Sequence, residues 1–304
     1  MKWRFLKVCG VVCALQGLAC GPPSKRGFPE SARWAAYYGP ASDIDTARLA
    51  ADFQVLDIDA DPTLGGWTVD QIASLKAGGR NRVLTYLSLG SCEQQRDYWA
   101  RAPDGFIPCG LNTKAQLGPY AGFPEETWVN SADPDLQHLI VDFVAPRLLA
   151  LGVDGLFLDN MDVVDRGDVL DARCDAVCAQ GSLDLVRRLR ERFPDALLVT
   201  NNGTTDVTRL GRSGGLTFPS LLDGVTHEGV FQPALDARVL GEMRAWRDLR
   251  LRPGGRQFLV ASLDYVPSCD SPATSEVRDG CRREQFTCGV SDLTNNVSAV
   301  CWPP

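Results

Sequence analysis

Histidine is nearly missing from this chain: among 304 residues there are two, His138 and His227. That excludes a His-rich metal site and makes any Ser-His-Asp triad depend on one of the pair. A basic surplus is missing too, with 31 Lys+Arg against 38 Asp+Glu, a formal charge of −7 and a pI near 5.0. Without a positive field to hold phosphate backbones, no nucleic-acid partner is expected. The chain also lacks low-complexity breaks, C-x-x-C metal knuckles and a glycine-rich phosphate turn; Tyr37-Tyr38-Gly39-Pro40, which ends the first apolar run, is not one. Past the first 19 residues no apolar stretch is long enough to span a bilayer. What remains is carboxylate chemistry on a globular body, with 44% hydrophobic residues to form its core. No metal and no organic cofactor is expected.

Cysteine, in contrast, is abundant, and its placement bears on compartment. Residues 1–19 read as a signal peptide: Lys2, Arg4 and Lys7 precede the apolar run Val8–Leu18, and Gly17-Leu18-Ala19 offers a small-x-small cleavage site. The next residue is Cys20, as at the end of a bacterial lipoprotein signal, so Cys20 is the predicted mature N-terminus and lipidation site. Residues 20–32, containing Pro22-Pro23 and Gly27, read as a tether, and 33–304 as one folded domain. The expectation is an exported protein, secreted or held to the cell envelope by lipid alone, and monomeric. Eight cysteines remain in the body, which in an exported chain favours disulfides over zinc. Short loops suggest Cys92–Cys109, Cys174–Cys178, Cys269–Cys281 and Cys288–Cys301, one of the 105 pairings that eight cysteines allow.

Apolar, β-rich runs alternate with helix-length amphipathic segments. Strands are predicted at Trp34–Tyr38, Val55–Asp59, Val83–Leu89, Gly155–Asp159, Leu197–Asn201, Gly224–Glu228 and Phe258–Leu263, with an eighth between Gln285 and Val300. Helices are predicted at Val69–Ala77, Asp135–Leu151, Leu183–Arg192 and Leu235–Leu249, the second opened by Asp133-Pro134. Alternation of this kind means a parallel sheet covered by helices. With no phosphate turn for an open doubly wound sheet, the better fit is an α/β fold of the (β/α)8 TIM-barrel type, a single domain with disulfide-stapled loops.

In such a barrel the chemistry sits at the C-terminal ends of the strands. Four predicted strands end in polar residues: Asp57-Ile58-Asp59, Ser88-Leu89-Gly90, Asp159-Asn160 and His227-Glu228. Two carboxyl groups at one mouth can divide glycosidic cleavage, one protonating the leaving oxygen and the other attacking the sugar carbon or activating water. Asp159 and Glu228 form the predicted pair. The competing roles are a helix cap or arginine partner for Asp159 and a solvated loop charge for Glu228. Asp57, Asp59 and Asp61 lack the glycine and terminal glutamate of a calcium loop. Gly211-Arg212-Ser213-Gly214-Gly215 matches G-x-S-x-G, but its flanks are not strand and helix, so a flexible loop is expected there. His227 is expected to be buried rather than catalytic, and Trp34, Tyr37, Tyr38, Trp67, Tyr86, Trp128 and Tyr265 are candidates for sugar stacking or for the core.

The blocks Trp34-Ala-Ala-Tyr37-Tyr38-Gly39, Val55-Leu-Asp57, Leu84-Thr-Tyr86-Leu-Ser88-Leu-Gly90 with Arg96-Asp-Tyr98-Trp99, Trp128-Val129-Asn130, Gly155-Leu-Phe-Leu-Asp159-Asn160 and His227-Glu228-Gly229 together resemble glycoside hydrolase family 114. The resemblance runs from about Arg33 to Leu263 and leaves out the cysteine-rich end from Cys269 to Cys301. It implies a barrel with endo-α-1,4-polygalactosaminidase activity on an amino-sugar polysaccharide. By position it implies Glu228 as general acid/base and Asp159 as nucleophile or base. It places Asp57, Tyr86, Asn160 and Asn201 around the sugar; Tyr38 and Trp128 are added as aromatic contacts because flat apolar ring faces can cover pyranose C–H faces. The rival reading is a non-catalytic cell-surface carbohydrate-binding barrel.

Overall fold

Successive residues of a strand face opposite ways, and in this chain both faces are apolar. Ala35, Leu56, Val83, Leu156, Leu198, Val225 and Val260 are buried in the outer layer of the core. Their alternates Trp34, Ala36, Val55, Leu84, Phe157, Leu197, Val199, Leu259, Ala261 and Leu263 fall together in a separate inner core. Strands apolar on both faces need cover on both, and a sheet closed on itself inside a ring of helices supplies it. The computed structural model, which describes residues 26–165, 174–293 and 297–303, has this architecture.

The eight barrel strands are β1 (Trp34–Tyr37), β2 (Val55–Ile58), β3 (Arg82–Ser88), β4 (Gly155–Asp159), β5 (Leu197–Asn201), β6 (Gly224–Glu228), β7 (Leu259–Val266) and β8 (Thr287–Asp292). Each pairs in parallel with the next in chain order, and β8 returns to lie beside β1. Gly289 permits that closure, because a Cβ there would stand 2.9 Å from the Trp34 ring. All seven predicted strands form to within a few residues, and the eighth falls in the predicted interval.

The main helices between them are α1 (Thr46–Asp52), α2 (Val69–Leu75), α3 (Pro134–His138 continuing through Leu139–Val144 to Ala145–Leu149), α4 (Ala176–Arg192), α5 (Ala237–Asp248) and α6 (Pro272–Glu284). Asp133 caps α3 as expected, accepting from Leu136 N. The middle of α3 widens to a π-turn just before Pro146, which has no amide hydrogen to donate and whose ring crowds the preceding turn. Helix α4 begins earlier than predicted, capped by Asp175. Its Gly181 reads as a break but is a contact point, since a Cβ would come within 2.3 Å of the Ala132 backbone. Helix α6 has no counterpart among the helices that the sequence predicts. Among the described residues no helix is long and apolar enough to cross a membrane.

Helix α6 overturns half of the expected disulfide pairing. Cys92–Cys109 and Cys174–Cys178 form as predicted, but the other four cysteines pair as Cys269–Cys301 and Cys281–Cys288. Short-loop reasoning treated the segment after Cys269 as loop. A helix instead carries Cys281 roughly 14 Å along its axis from Pro272, too far from Cys269 for a bridge, and sets it opposite Cys288 on β8 with a Cα–Cα distance of 5.9 Å. The staples therefore join regular elements as well as loops.

The described chain starts inside the fold. Arg26 donates to Asp223 at 2.9 Å, and Phe28, 1% exposed, bridges Gln257 and joins the inner core. Residues 26–32, grouped with the tether by composition, thus pack on the floor of the barrel. Cys20 and the signal segment lie outside the described residues, as do residues 166–173 and 294–296.

Candidate active site

The inward series of each strand changes character along its length. At the N-terminal end it is Trp34, Val55, Leu84 and Leu197; at the C-terminal end it is Tyr38, Asp57, Tyr86, Asp159, Asn201, Glu228 and Tyr265. Polar groups therefore gather at one mouth, in a cleft of about 520 Å³ whose lining includes Tyr38, Tyr86, Asp159, Asn160, Glu228 and Tyr265.

Asp159 and Glu228 close β4 and β6, on either side of β5. Asn201 at the end of β5 lies between them and donates through Nδ2 to Asp159 Oδ1 at 2.8 Å and to Glu228 Oε1 at 2.6 Å. Its Oδ1 accepts from Thr226 Oγ1 at 2.7 Å, which orients the amide. Tyr265 donates to Glu228 Oε2 at 3.0 Å, and Asn202 Oδ1 receives the Glu228 backbone N–H at 3.0 Å. Asn160 and Asn202 have φ of 58° and 65°, a left-handed conformation that asparagine tolerates better than most residues. The turn lets two consecutive residues, Asp159 and Asn160, both serve the mouth, which strict strand alternation would forbid.

Burial first, and then the charge of Glu228, pushes the Asp159 carboxyl up to about 7. Burial likewise raises Glu228, opposed by the hydrogen bonds from Asn201 and Tyr265. Both carboxyls are thus easier to protonate than free ones, and each titration depends on the charge of the other. Burial also raises Asp57 well above the usual carboxylate range, against the opposing bond that it accepts from the Tyr38 hydroxyl.

The cleft's other wall comes from an insertion between β3 and α3, a three-stranded antiparallel sheet of Ser91–Glu93, Gln116–Tyr120 and Phe123–Val129. It contributes Glu93, Tyr120, Phe123, Glu125 and Glu126 to the lining. Arg96, the one cation among the described lining residues, is bound to Asp59 at 2.9 Å and to Glu93 at 2.8 Å, with its guanidinium 5.0 Å from the Tyr86 ring centre. Asn160 donates to Ser88 at 3.0 Å and to Ser91 at 2.9 Å, which ties the insertion to β3 and β4.

Of the residues singled out by sequence, Asp159, Glu228, Tyr38, Tyr86 and Asn160 meet at the cleft. Three take other places. Asp57 is fully buried beneath Tyr38, whose hydroxyl donates to it, so it supports the aromatic wall of the cleft and does not line it. Asn201, 1% exposed, lies under the two carboxyls and spends its amide on them. Trp128 is buried in the outer core, with Tyr120 stacked on it at 3.9 Å; the large indole gains more from burial than an exposed wall would give it. His227 stays out of the lining and donates from Nδ1 to the Glu228 carbonyl at 2.7 Å. Ser213 sits in a tight hairpin, not a flexible loop, and Arg187 donates to its hydroxyl at 2.9 Å.

The insertion residues escaped the sequence reading. The one signal was Tyr120-Ala121-Gly122-Phe123, a two-residue hairpin turn with Gly122 at φ 89°.

Comparison with known proteins follows the same lines. The glycoside hydrolase domain of PelA from Pseudomonas aeruginosa superposes with a TM-score of 0.64 at 17% identity, covering 88% of this chain and 98% of that one. Ega3 from Aspergillus fumigatus, solved in complex with galactosamine, has a TM-score of 0.64 at 16% identity, over 92% and 96%. The α-galactosidase of Thermus thermophilus, solved with stachyose, has 0.53 at 16% identity, over 91% and 66%. At such identities the likeness is one of fold. No curated protein matches the chain. The sequence pattern of glycoside-hydrolase family GH114 matches residues 18–209, well over half of the chain; Asp159 and Asn201 fall inside the match and Glu228 beyond it. The chain belongs to glycoside-hydrolase family GH114 and is a glycoside hydrolase.

Proposed function

We propose that this protein is an exported retaining hydrolase of an α-1,4-linked galactosamine-type polysaccharide, with Asp159 as nucleophile and Glu228 as general acid/base. The single observation that carries the reading is the shared Asn201 amide. Two oxygens bound to one nitrogen are no farther apart than the two bonds laid end to end. That upper limit is short of the ~6.5–9.5 Å that leaves room for water in inverting pairs and is compatible with the ~5–5.5 Å of retaining ones.

In the first step Asp159 attacks the anomeric carbon. The bond to the leaving oxygen breaks, and that oxygen takes the proton of Glu228. In the second, Glu228 removes a proton from water, whose oxygen attacks the same carbon and releases Asp159, leaving Glu228 protonated for the next cycle. An amino-sugar substrate is supported by family membership, by the galactosamine bound to Ega3 and by a cleft rich in carboxylates. Export, with a lipid on Cys20 or without one, is supported by four disulfides and the N-terminal pattern.

The test is oligosaccharide release from partially deacetylated galactosaminogalactan, followed by mass spectrometry, for wild type, Asp159→Asn and Glu228→Gln. Each variant should lose roughly a thousandfold or more in rate while staying folded. A substrate with a good leaving group should restore the first step in Glu228→Gln alone. Normal activity in either variant on the polymer rules out the pair.

A further inference from the structure

We propose that the antiparallel insertion builds a sugar subsite beside the cleavage point, with Tyr120 and Phe123 as its ring platform and Glu126 as the specificity-determining carboxylate that selects an unacetylated amine. The proposal rests on the glycosidase reading above and names the side chains that would set its substrate preference.

The platform is rigid. Tyr120 and Phe123 both line the cleft, with ring centres 5.0 Å apart at 63°. Tyr120 is backed by the buried Trp128, and its hydroxyl reaches Asn160 Oδ1 at 3.2 Å, one residue from Asp159. Flat apolar faces of this kind cover the C–H faces of pyranose rings, and the bond to Asn160 places the platform next to the reacting carboxylate.

Glu126 adds the chemical selection. Ser91 Oγ donates to its Oε2 at 2.6 Å and so fixes the carboxyl, while among the described residues no partner engages Oε1. Among the described residues no cation neutralises it: Arg96 is committed to Asp59 and Glu93. Burial, aided by the nearby charges of Glu93 and Asp159, raises its pKa to about 7 despite the Ser91 bond. The group therefore lacks a counter-ion, and an ammonium on the bound sugar would supply one. An N-acetyl group in the same place brings no charge and a bulkier neutral amide.

The experiment compares wild type with Glu126→Gln on galactosamine oligomers and on their N-acetylated counterparts, by turnover and by calorimetric titration. Glutamine keeps an acceptor for Ser91 and removes only the charge. Wild type should prefer the unacetylated oligomer, and Glu126→Gln should raise its KM and Kd for that ligand roughly 10–100-fold. The acetylated ligand should change by less than about threefold, so that the preference collapses. Tyr120→Ala should weaken both ligands alike, as loss of a stacking face predicts. An undiminished preference in Glu126→Gln, or an equal loss on both ligands, overturns the subsite while leaving the glycosidase reading intact. Failure of wild type to cleave either oligomer overturns the glycosidase reading instead, and the titrations still decide the subsite: selective binding lost in Glu126→Gln upholds it, and no selectivity in wild type overturns it.

Discussion

Asp159 is tied to Glu228 through a single nitrogen, Asn201 Nδ2, at 2.8 Å on one side and 2.6 Å on the other. Both amide hydrogens are thus aimed at the carboxyl pair, and Thr226 holds the amide oxygen so that it cannot turn. The arrangement sets the spacing of the two acids and lowers the cost of ionising either one. It also explains why a polar residue ends β5, a strand that contributes no acid of its own.

Asn201→Ala removes a donor from each carboxyl and should raise both apparent pKa values further. A kcat loss of roughly 10–1000-fold is expected, together with a shift of the pH optimum upward on the order of one unit. A fall in kcat with an unmoved optimum would mean that Asn201 only shapes the cleft.

On an N-acetylated oligosaccharide, which carries no titrating amine and whose sugar leaving group needs the acid's proton, kcat/KM should follow a bell. Activity needs one proton on the Asp159–Glu228 pair. It should fall as pH rises past about 7, where the coupled pair gives up the proton that Glu228 must deliver, and fall again in acid as Asp159, the nucleophile, protonates as well. A rate still level at pH 9 would contradict a proton lost near neutrality.

Stability should move in the opposite sense to a salt-bridged carboxylate. Asp159 has a folded pKa of about 7, above its ordinary value of 3.8, so the fold binds a proton that the unfolded chain releases. Its favourable contribution is complete below the unfolded pKa and is lost as pH rises through about 7. Asp159→Asn, which needs no proton, should therefore melt above wild type at pH 8, by roughly 2–4 °C for each kcal/mol recovered, and the gap should close toward pH 4. Differential scanning calorimetry at the two pH values checks this, and a gap independent of pH would argue against a raised Asp159.

Peptide mapping without reduction should recover Cys269 with Cys301 and Cys281 with Cys288. Opening Cys269–Cys301, with a sequence separation of 32, should cost more than opening Cys174–Cys178, with a separation of 4. Loop-entropy arithmetic gives about 4 against about 2 kcal/mol. Denaturant titration of the two paired Cys→Ser variants reads the difference, and the reverse order would show that unfolded-chain entropy is not what these bridges restrict.

Much of this protein is legible along the chain. Seven strands announce themselves because a period of two with apolar residues on both faces is a property of neighbouring residues, and Asp159 and Glu228 stand out because each ends such a run. Helix α6 stays hidden because Gly280 reads as a breaker, whereas in the fold it makes room for the Phe231 ring, 2.8 Å from where its Cβ would be. The insertion that carries Glu126 stays hidden because its strands pair with one another away from the barrel, so their two faces differ less in polarity.

Periodicity and strand endings determine a barrel and bring Asp159 and Glu228 to one mouth of it. They did not say which sulfur meets which, that Asp57 and Trp128 lie beneath the aromatic wall, or that Asn201 bridges the pair. Those outcomes turn on contacts between residues distant in the chain, and they arise only when the strands close and burial assigns each polar group its partner.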